Sequence, residues 1–272
     1  MKIAVFTKST LKGHPARKAL LDALSKEGGF VIEEVGSDRK LPKDSERLLA
    51  FGGDGTMLDA AVLSAKAGIP VLGVNLGDLG FLTQFDAHVS AEELARALRS
   101  AAVKRRMLIE CSVENGSFLA LNDIVVKSAS TRPVSMELYV DGQFSDAYRS
   151  DGVIVATPTG STAYSLSAGG PVLAPELNAL VVNAVCPHTL HSRPLVVGSD
   201  AEITLRLIRG GEAELVVDGR SVGRLSPDPV VTVKRGSISA LFADAGKNDF
   251  YERLLDKMNR WGSARSAEVT GL

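Results

Sequence analysis

One short segment decides the fold of this 272-residue chain: Leu48-Leu49-Ala50-Phe51-Gly52-Gly53-Asp54-Gly55-Thr56-Met57-Leu58. It opens as an apolar run with strand character, changes into glycines around one carboxylate, and continues with helical spacing. A strand, a tight glycine-rich turn and a helix N-terminus together form an anion site. The glycines let backbone N–H groups converge without Cβ clashes, and the helix dipole adds partial positive charge. Phosphate is the expected guest of this turn.

Asp54 is unusual within the turn, because a carboxylate and a bound phosphate repel each other. A carboxylate at this position is therefore expected to have a function. Two tasks fit it: holding a metal ion, or accepting the proton of a hydroxyl group that attacks a phosphoryl group. The pair Asp54-Gly55 is also simply a favourable turn sequence, and a lone Gly-Gly-Asp-Gly leaves that interpretation open. Its position after a strand and before a helix favours the functional interpretation.

Strand and helix patterns alternate over the first hundred residues. The predicted helices cover residues 15–26 and 56–67, with a third after Ser90, where Ser90 and Glu93 form a capping box. Predicted strands cover residues 3–6, 30–35, 47–51 and 70–75. This alternation indicates a parallel, Rossmann-like sheet covered on its faces by helices, and ligands of such sheets bind beyond the carboxyl ends of the strands. The glycine-rich turn lies at one of those ends.

The second half of the chain has a different pattern. Strand-like runs follow one another from about residue 102 to 242 with almost no helical period. Two of the connections, Asp141-Gly142 and Asp218-Gly219, are typical of tight hairpins. We therefore expect an all-β, sandwich-like domain of two packed sheets.

Helical spacing returns at residues 248–261. Phe250, Leu254, Leu255 and Met258 form an apolar stripe there, which we expect to pack on the helix-bearing first domain. The predicted domains are 1–101 with 243–272, an α/β domain that contains the glycine-rich turn, and 102–242, the β domain. We expect a binding site where the two domains meet, since such junctions commonly form sites.

Composition limits the classes of partner and the compartment. Lys and Arg number 31 against 32 acidic residues, a net charge of −1, which argues against nucleic acid as the main partner. Cys111 and Cys186 are not in a metal-like pair and are expected to be reduced. There is no signal-like apolar block at the start and no apolar stretch of membrane-spanning length, so we expect a soluble, cytoplasmic protein without a membrane partner.

A second unusual stretch covers residues 149–170. A buried-type strand opens there into a run of hydroxyl groups and glycines with one tyrosine, Tyr164. Hydroxyls and backbone amides suit sugar hydroxyls and base edges, and Tyr164 can stack on a flat ring, although an ordinary loop also explains the run. Asn122 and Asp123 interrupt an apolar strand run in the same half, either as a strand end with turn residues or as a further polar cluster.

Five blocks occur along the chain in order, at residues 52–56, 75–82, 121–123, 151–170 and 186–195. Together they resemble the ordered motifs of bacterial NAD kinases. The block 151–170 is highly specific, whereas Gly-Gly-Asp-Gly alone is shared with diacylglycerol kinases, sphingosine kinases and phosphofructokinases. The resemblance implies transfer of the γ-phosphoryl group of ATP, or of polyphosphate, to the 2′-hydroxyl of the adenosine ribose of NAD, which gives NADP.

The resemblance also implies a set of site residues. Asp54 is the implied catalytic proton acceptor, and Gly52, Gly53, Gly55 and Thr56 are the implied cradle of the donor phosphates. A divalent cation, Mg²⁺ or Mn²⁺, is implied to arrive with ATP, without a metal site built from the protein itself. The implied substrate-binding residues are Asp54, Gly55, Asn122, Asp123, Arg132, Arg149, Asp151, Thr162, Ala163, Tyr164, Ser165, Leu166, Ser167 and Arg220.

Some of these positions depart from the family pattern. Asp123 stands where the family has a Glu beside the NAD ribose, so its shorter side chain is expected to contact the substrate through water. Asp151, by contrast, matches the family's Asp beside the adenosine and is suited to accept a hydrogen bond from the adenine amino group. Arg220 stands where relatives often have Gln.

Partners and alternative functions complete the expectations. The resemblance implies NAD and ATP as small-molecule substrates and a homodimer or homotetramer built through the β domain. A lipid kinase that shares the Gly-Gly-Asp-Gly loop is the first alternative, but no amphipathic basic stretch suited to a membrane surface is evident. A non-catalytic NAD- or nucleotide-sensing module is the second, and the intact Asp54 argues against it.

Overall fold

The computed structural model describes residues 1–77, 80–114, 116–189, 192–209, 212–246 and 250–269, and the side chains of these residues except 209 and 260–269. The chain forms two compact units, one of Met1–Lys104 with Leu241–Leu272 and the other of Arg105–Ala240. Each unit has its own buried apolar core. Among the described helices, none has the length and apolar character needed to cross a membrane.

The secondary structure changes in type along the chain. The elements up to residue 113 are β1 (Lys2–Thr7), a 3₁₀ turn (Ser9–Leu11), α1 (Pro15–Glu27), β2 (Val31–Glu34), β3 (Arg47–Phe51), α2 (Asp54–Ala67), β4 (Val71–Val74), α3 (Ala91–Ser100) and β5 (Ala102–Val113). The later elements are β6 (Gly116–Ala120), β7 (Asp123–Ser128), β8 (Val134–Val140), β9 (Gln143–Ser150), β10 (Gly152–Ala156), a 3₁₀ turn (Gly160–Thr162), α4 (Tyr164–Ser167), β11 (Ala179–Val185), β12 (Leu195–Gly198), β13 (Ile203–Arg209), β14 (Ala213–Val217), β15 (Arg220–Arg224), β16 (Val230–Asp244) and α5 (Phe250–Val269).

The first unit contains a parallel sheet in the order β2-β1-β3-β4. The last residues of β16 extend it, with Phe242 paired in parallel to Val71. Apolar side chains of β1, β3 and β4 are fully buried against α1 and α3, because the strands are covered by helices. Ser90 caps α3 by accepting from the Glu93 N–H at 3.2 Å, as the capping box predicts. The predicted α/β domain is confirmed.

The start of α2 differs from the expectation. The helix was predicted from residue 56, but it begins at Asp54, with Gly53 in an extended conformation as its N-cap. Asp54 therefore lies in the first turn of the helix rather than inside the glycine turn. A negative charge is favoured there by the helix dipole, which helps to explain why the helix starts earlier than apolar spacing alone indicates.

The second unit is a β structure of two sheets. One sheet has the antiparallel order β12-β11-β10-β7-β14-β15, and the other contains β16, β13, β8 and β9, with β5 and β6 alongside. Apolar residues from both sheets form one core. Both predicted hairpins are present, and Asp141, Gly142, Asp218 and Gly219 all have the positive φ that such tight turns require. The expected sandwich-like β domain is thus confirmed.

Helix α5 confirms the predicted C-terminal helix but not its buried face. Residues 248 and 249, at the start of that prediction, lie outside the described residues. Two members of the expected apolar stripe are largely exposed, Leu255 at 60% and Met258 at 52%, whereas Arg253 is only 9% exposed. The prediction that this helix returns to the first unit is confirmed. The expected apolar stripe is only partly buried, and a charged residue is buried on the helix instead.

Candidate active site

The glycine-rich turn after β3 is tightly closed. Gly52 donates its N–H to the Val74 carbonyl at 3.0 Å and has a φ of +142°, a conformation that favours glycine. A Cβ at Gly52 would lie 2.4 Å from Thr56 Oγ1. Thr56 is itself buried, and its N–H donates to the Gly53 carbonyl at 2.9 Å. Thr56 therefore supports the turn from within.

The carboxylate of Asp54 is held at both oxygens. Oδ2 accepts the N–H of Phe81 at 2.9 Å, and Oδ1 accepts the N–H of Leu82 at 3.0 Å. Gly80 permits this approach, because a Cβ there would lie 2.0 Å from Asp54 Oδ1. The side chain is nevertheless 32% exposed. A carboxylate has about four lone-pair sites, so Asp54 can still accept a hydrogen bond from a further hydroxyl group.

Two basic residues of α5 lie next to this carboxylate. Lys257 Nζ is 3.5 Å from Asp54 Oδ2 and 4.1 Å from the centroid of the Phe81 ring. Arg253 Nη1 donates to the Gly80 carbonyl at 2.5 Å. Burial lowers the pKa of Arg253, and the charge of Asp54 opposes that effect. Sequence reasoning missed both residues, although their i, i+4 spacing places them on one face of a helix.

The Asn122-Asp123 pair is fixed by a hairpin residue that was predicted only as part of a turn. The Asp218 carboxylate accepts the N–H groups of Leu121 at 2.9 Å, Asn122 at 2.7 Å and Asp123 at 3.3 Å. From another direction, the Thr157 N–H donates to the Asn122 carbonyl at 2.8 Å. Three N–H groups on one carboxylate make a strongly held backbone segment.

Asp123 has an altered acidity. Its side chain is 4% exposed, and burial, followed by the negative charge of Asp218, raises the pKa of Asp123 to about 7. The carboxyl group is therefore close to half protonated at neutral pH. In that form it can donate as well as accept a hydrogen bond.

The hydroxyl-rich stretch after β10 is an ordered loop. Ser161 Oγ donates to the Pro158 carbonyl at 2.7 Å and accepts the Leu173 N–H at 2.9 Å. Asn183 Nδ2 donates to the carbonyls of Ser165 and Ala168, at 3.2 and 3.1 Å. The buried Ser165 hydroxyl has no hydrogen-bond partner among the described residues. Several of the predicted hydroxyl and amide groups therefore support the loop itself.

Part of the predicted substrate-binding set comes together around Tyr164, which is 43% exposed. Burial raises the pKa of Tyr164, and its neighbours Cys186, Asp151 and Asp123 add to the effect. Thr162, Ala163 and Leu166 are half-buried beside it in the chain, and Ser167 is exposed.

The basic members of the set are more dispersed along the chain. Arg132 lies in the connection between β7 and β8, Arg149 on β9 and Arg220 on β15, and all three are exposed. In the other predicted blocks, residues 78, 79, 190 and 191 lie outside the described part of the chain.

A carboxylate ordered in the first turn of a helix, after a glycine-rich strand end in an α/β unit, is suited to a phosphotransferase that acts on nucleotides. The comparisons with known proteins identify the family. Residues 6–102 match the ATP-NAD kinase N-terminal domain, and residues 121–245 match the ATP-NAD kinase C-terminal domain. The chain belongs to the NAD kinase family and is a kinase that phosphorylates NAD.

Individual relatives agree with this assignment. The chain is 42% identical over 231 residues to an NAD kinase of Moorella thermoacetica, covering 82% of this chain and 74% of that protein. It is 39% identical over 238 residues to an NAD kinase of Geobacter metallireducens, covering 83% of this chain and 82% of that protein. The resemblance found in the sequence is therefore confirmed, and the lipid-kinase and sensor alternatives are set aside.

Solved structures agree as well. A crystal structure of an NAD kinase from Archaeoglobus fulgidus in complex with ATP has a TM-score of 0.79 at 29% identity, covering 95% of this chain and 99% of that one. A crystal structure of yeast NADH kinase complexed with NADH has a TM-score of 0.75 at 25% identity, covering 90% of this chain and 83% of that one.

Proposed function

We propose that this chain transfers the γ-phosphoryl group of ATP to the 2′-hydroxyl of the adenosine ribose of NAD, with Asp54 as the proton acceptor. The observation that supports this role most strongly is that the Asp54 carboxylate is both oriented and accessible. Both of its oxygens are oriented by backbone N–H groups, yet about a third of the side chain is exposed. A base that is placed in advance and still accessible is what proton transfer from a bound hydroxyl needs.

The donor phosphates bind, in this proposal, at the turn formed by Gly52, Gly53 and Gly55. Gly55 is exposed and Gly53 half-buried, whereas Gly52 is buried with its N–H on the Val74 carbonyl. The N-terminus of α2 adds partial positive charge. Thr56 acts indirectly by closing the turn, because its side chain is buried against Gly52. Since most of the transition-state charge lies on the phosphoryl oxygens, an ordinary carboxylate in the right place is a sufficient base.

The acceptor NAD is bound, in this proposal, by the polar groups around Tyr164. Tyr164 is exposed enough to stack on the adenine ring, and the exposed Asp151 can accept from the adenine amino group. Asn122 and Asp123 lie against the ribose, where a partly protonated Asp123 can donate to a sugar oxygen. Two of the related proteins support the pair of ligands, since one was solved with ATP and one with NADH.

The remaining predicted contacts keep their place in the proposal. Arg132, Arg149 and Arg220 contact the substrate, and the turn from Thr162 through Ala163, Ser165, Leu166 and Ser167 surrounds the adenosine. Inorganic polyphosphate is an alternative donor to be compared with ATP. A homodimer or homotetramer is the proposed assembly, and light scattering of the purified protein measures it.

Phosphoryl transfer from ATP uses a divalent cation on the nucleotide. Within the described ranges, no group of three or more His, Cys, Asp or Glu side chains converges as a ligand set. Asp54, the carboxylate that follows the glycine-rich turn, already accepts two N–H groups and lies next to Lys257. We therefore propose that the cation, Mg²⁺ or Mn²⁺, is held mainly by the triphosphate, where it neutralises charge on the donor.

Replacing Asp54 by Asn tests the proposed base. The substitution keeps the size of the side chain but removes its basicity, so kcat for NADP formation should fall by roughly a thousandfold, with KM for NAD little changed. The assay incubates purified protein with NAD or NADH, and with ATP or polyphosphate, and measures NADP or NADPH. Asp59→Asn on the same helix is the matched control, and its activity should stay near that of the wild type.

Two results would contradict the proposal in different ways. If Asp54→Asn keeps wild-type kcat, Asp54 is not the base. If the wild type forms neither NADP nor NADPH with either donor, the reaction itself is wrongly assigned.

A further inference from the structure

The guanidinium group of Arg253 on α5 is buried, but only part of it is hydrogen-bonded. It is 9% exposed, and its Nη1 donates to the Gly80 carbonyl. Its Nε and Nη2 have no hydrogen-bond partner among the described residues. Leaving charged donors buried and unpaired is costly, and buried polar groups are nearly always satisfied. The Arg253 guanidinium is also close enough to Asp54 to interact with its charge. Its two unpaired nitrogens therefore indicate a place where an anion binds.

Lys257 lies one helical turn further along the same face of α5. Its ammonium group is 3.5 Å from Asp54 Oδ2, and its side chain is 31% exposed. The ammonium has three N–H donors, and the contact with Asp54 uses one of them. Lys257 can therefore contact Asp54 and a phosphate oxygen at the same time.

Among the described residues, a third cationic side chain lies near the first turn of α2. Lys8 reaches the first turn of α2, since its Nζ would lie 3.4 Å from a Cβ placed on Gly55. Lys257 and Arg253 are close to Asp54, and Lys8 is close to Gly55, the next residue in the N-terminal turn of α2. Cationic side chains grouped at a helix N-terminus attract a polyanion more strongly than a neutral ligand.

We propose that Arg253 and Lys257, here called the cationic pair, bind the phosphates of the donor nucleotide, with Lys257 on the phosphoryl group that is transferred. This inference rests on the proposed function. In the reaction step the bond between the γ-phosphorus and the ADP oxygen breaks, and a bond to the ribose 2′-oxygen forms. The hydroxyl proton goes to Asp54, and the Lys257 ammonium group stabilises the charge on the phosphoryl oxygens.

Arg253 has a second task in this arrangement. By holding the Gly80 carbonyl it fixes the segment whose next two N–H groups, of Phe81 and Leu82, orient Asp54. Lys257 packs on the Phe81 ring of the same segment. Helix α5 therefore connects the donor site with the position of the base.

Lys257→Met tests the cationic pair, because it removes the charge and keeps most of the side-chain volume. Loss of one charged contact to the transferred group should lower kcat by roughly a hundredfold and ATP affinity by about tenfold, with KM for NAD within about twofold. Affinity is measured by calorimetry with Mg-ATP and separately with inorganic tripolyphosphate. Lys257→Arg should restore most of the binding, and Lys18→Met, on the exposed face of α1, is the control for the same change in net charge.

Arg253→Lys separates charge from geometry. It keeps the positive charge but loses the planar fork, so tripolyphosphate affinity should fall while the melting temperature changes less than in Arg253→Ala. If Lys257→Met fails to fold, Lys257→Gln takes its place.

The possible outcomes distinguish this inference from the proposed function. Unchanged kcat and unchanged ATP and tripolyphosphate affinities in the folded Lys257 variant overturn the cationic pair, while NADP formation by the wild type still stands. Conversely, a wild type that makes no NADP, but binds tripolyphosphate through Lys257, refutes the reaction and keeps the anion site.

Discussion

Asp123 and Asp218 show how one side chain sets the chemistry of another. Asp218 lies in a hairpin turn with a φ of +47°, and its carboxylate collects three N–H groups from residues 121–123. The resulting fold buries Asp123 near a second negative charge, which raises the pKa of Asp123 to about 7. The sequence identified Asp123 as a candidate but gave no sign of its acidity, because burial is a tertiary property.

The raised pKa predicts how stability depends on pH. Between the ordinary value of 3.8 and about 7 the folded state keeps a proton that the unfolded state has lost. The free energy of unfolding therefore falls as pH rises through this window and is level above it. Asp123→Asn does not titrate, so the variant should gain up to about 4 kcal/mol relative to the wild type between pH 4 and pH 8.

Urea unfolding of Asp123→Asn and the wild type at several pH values measures this difference. Asp151→Asn, at an exposed position, is the control and should follow the wild type. Parallel stability curves for Asp123→Asn and the wild type would show that Asp123 ionises normally in the folded protein.

At the scale of elements, the loop after β10 and the start of β7 are built against each other. Gly160 lies so close to Asn122 that an added Cβ would be 2.0 Å from the Asn122 carbonyl oxygen. Thr157 binds the same segment through its N–H and its hydroxyl, the latter at 2.5 Å from the Leu121 carbonyl. The loop and the Asn122-Asp123 pair therefore form one structural unit.

Gly160→Ala should disturb that unit. Because the contact is with backbone, Asn122 and Asp123 must shift, and we expect KM for NAD to rise by at least roughly tenfold, while ATP affinity changes little. Gly198→Ala makes the same chemical change where a Cβ would meet nothing within 4 Å and should leave both constants unchanged. Equal kinetics for the two variants would show that the loop does not position the pair.

At the scale of the whole molecule, the two units differ in how the chain builds them. The β unit is one continuous stretch, Arg105–Ala240, whereas the α/β unit needs Met1–Lys104 together with Leu241–Leu272. The later piece supplies Phe242, which pairs with β4, and α5, which contacts the Asp54 region. Removing it takes away both packing and the proposed donor-site cations.

This organisation predicts different behaviour of two fragments. Fragment 105–240 contains its own apolar core and should unfold cooperatively on heating, with the near-UV and far-UV signals changing together. Fragment 1–104 lacks the end of β16 and α5 and should be less stable or aggregate. Cooperative unfolding of fragment 1–104 together with a disordered fragment 105–240 would contradict the assignment of the units.

The sequence by itself determined the element types, the two hairpins and the fold class, and it singled out Asp54 as a candidate, because periodicity, capping and turn chemistry act over a few residues. Only the tertiary structure decided what surrounds those residues. The N–H of Phe81 reaches Asp54 across 27 positions, and Arg253 reaches Gly80 across 173. Contacts at such separations depend on how whole elements pack, and no local pattern encodes them. For the same reason α5 was correctly predicted as a helix, while its buried arginine was not.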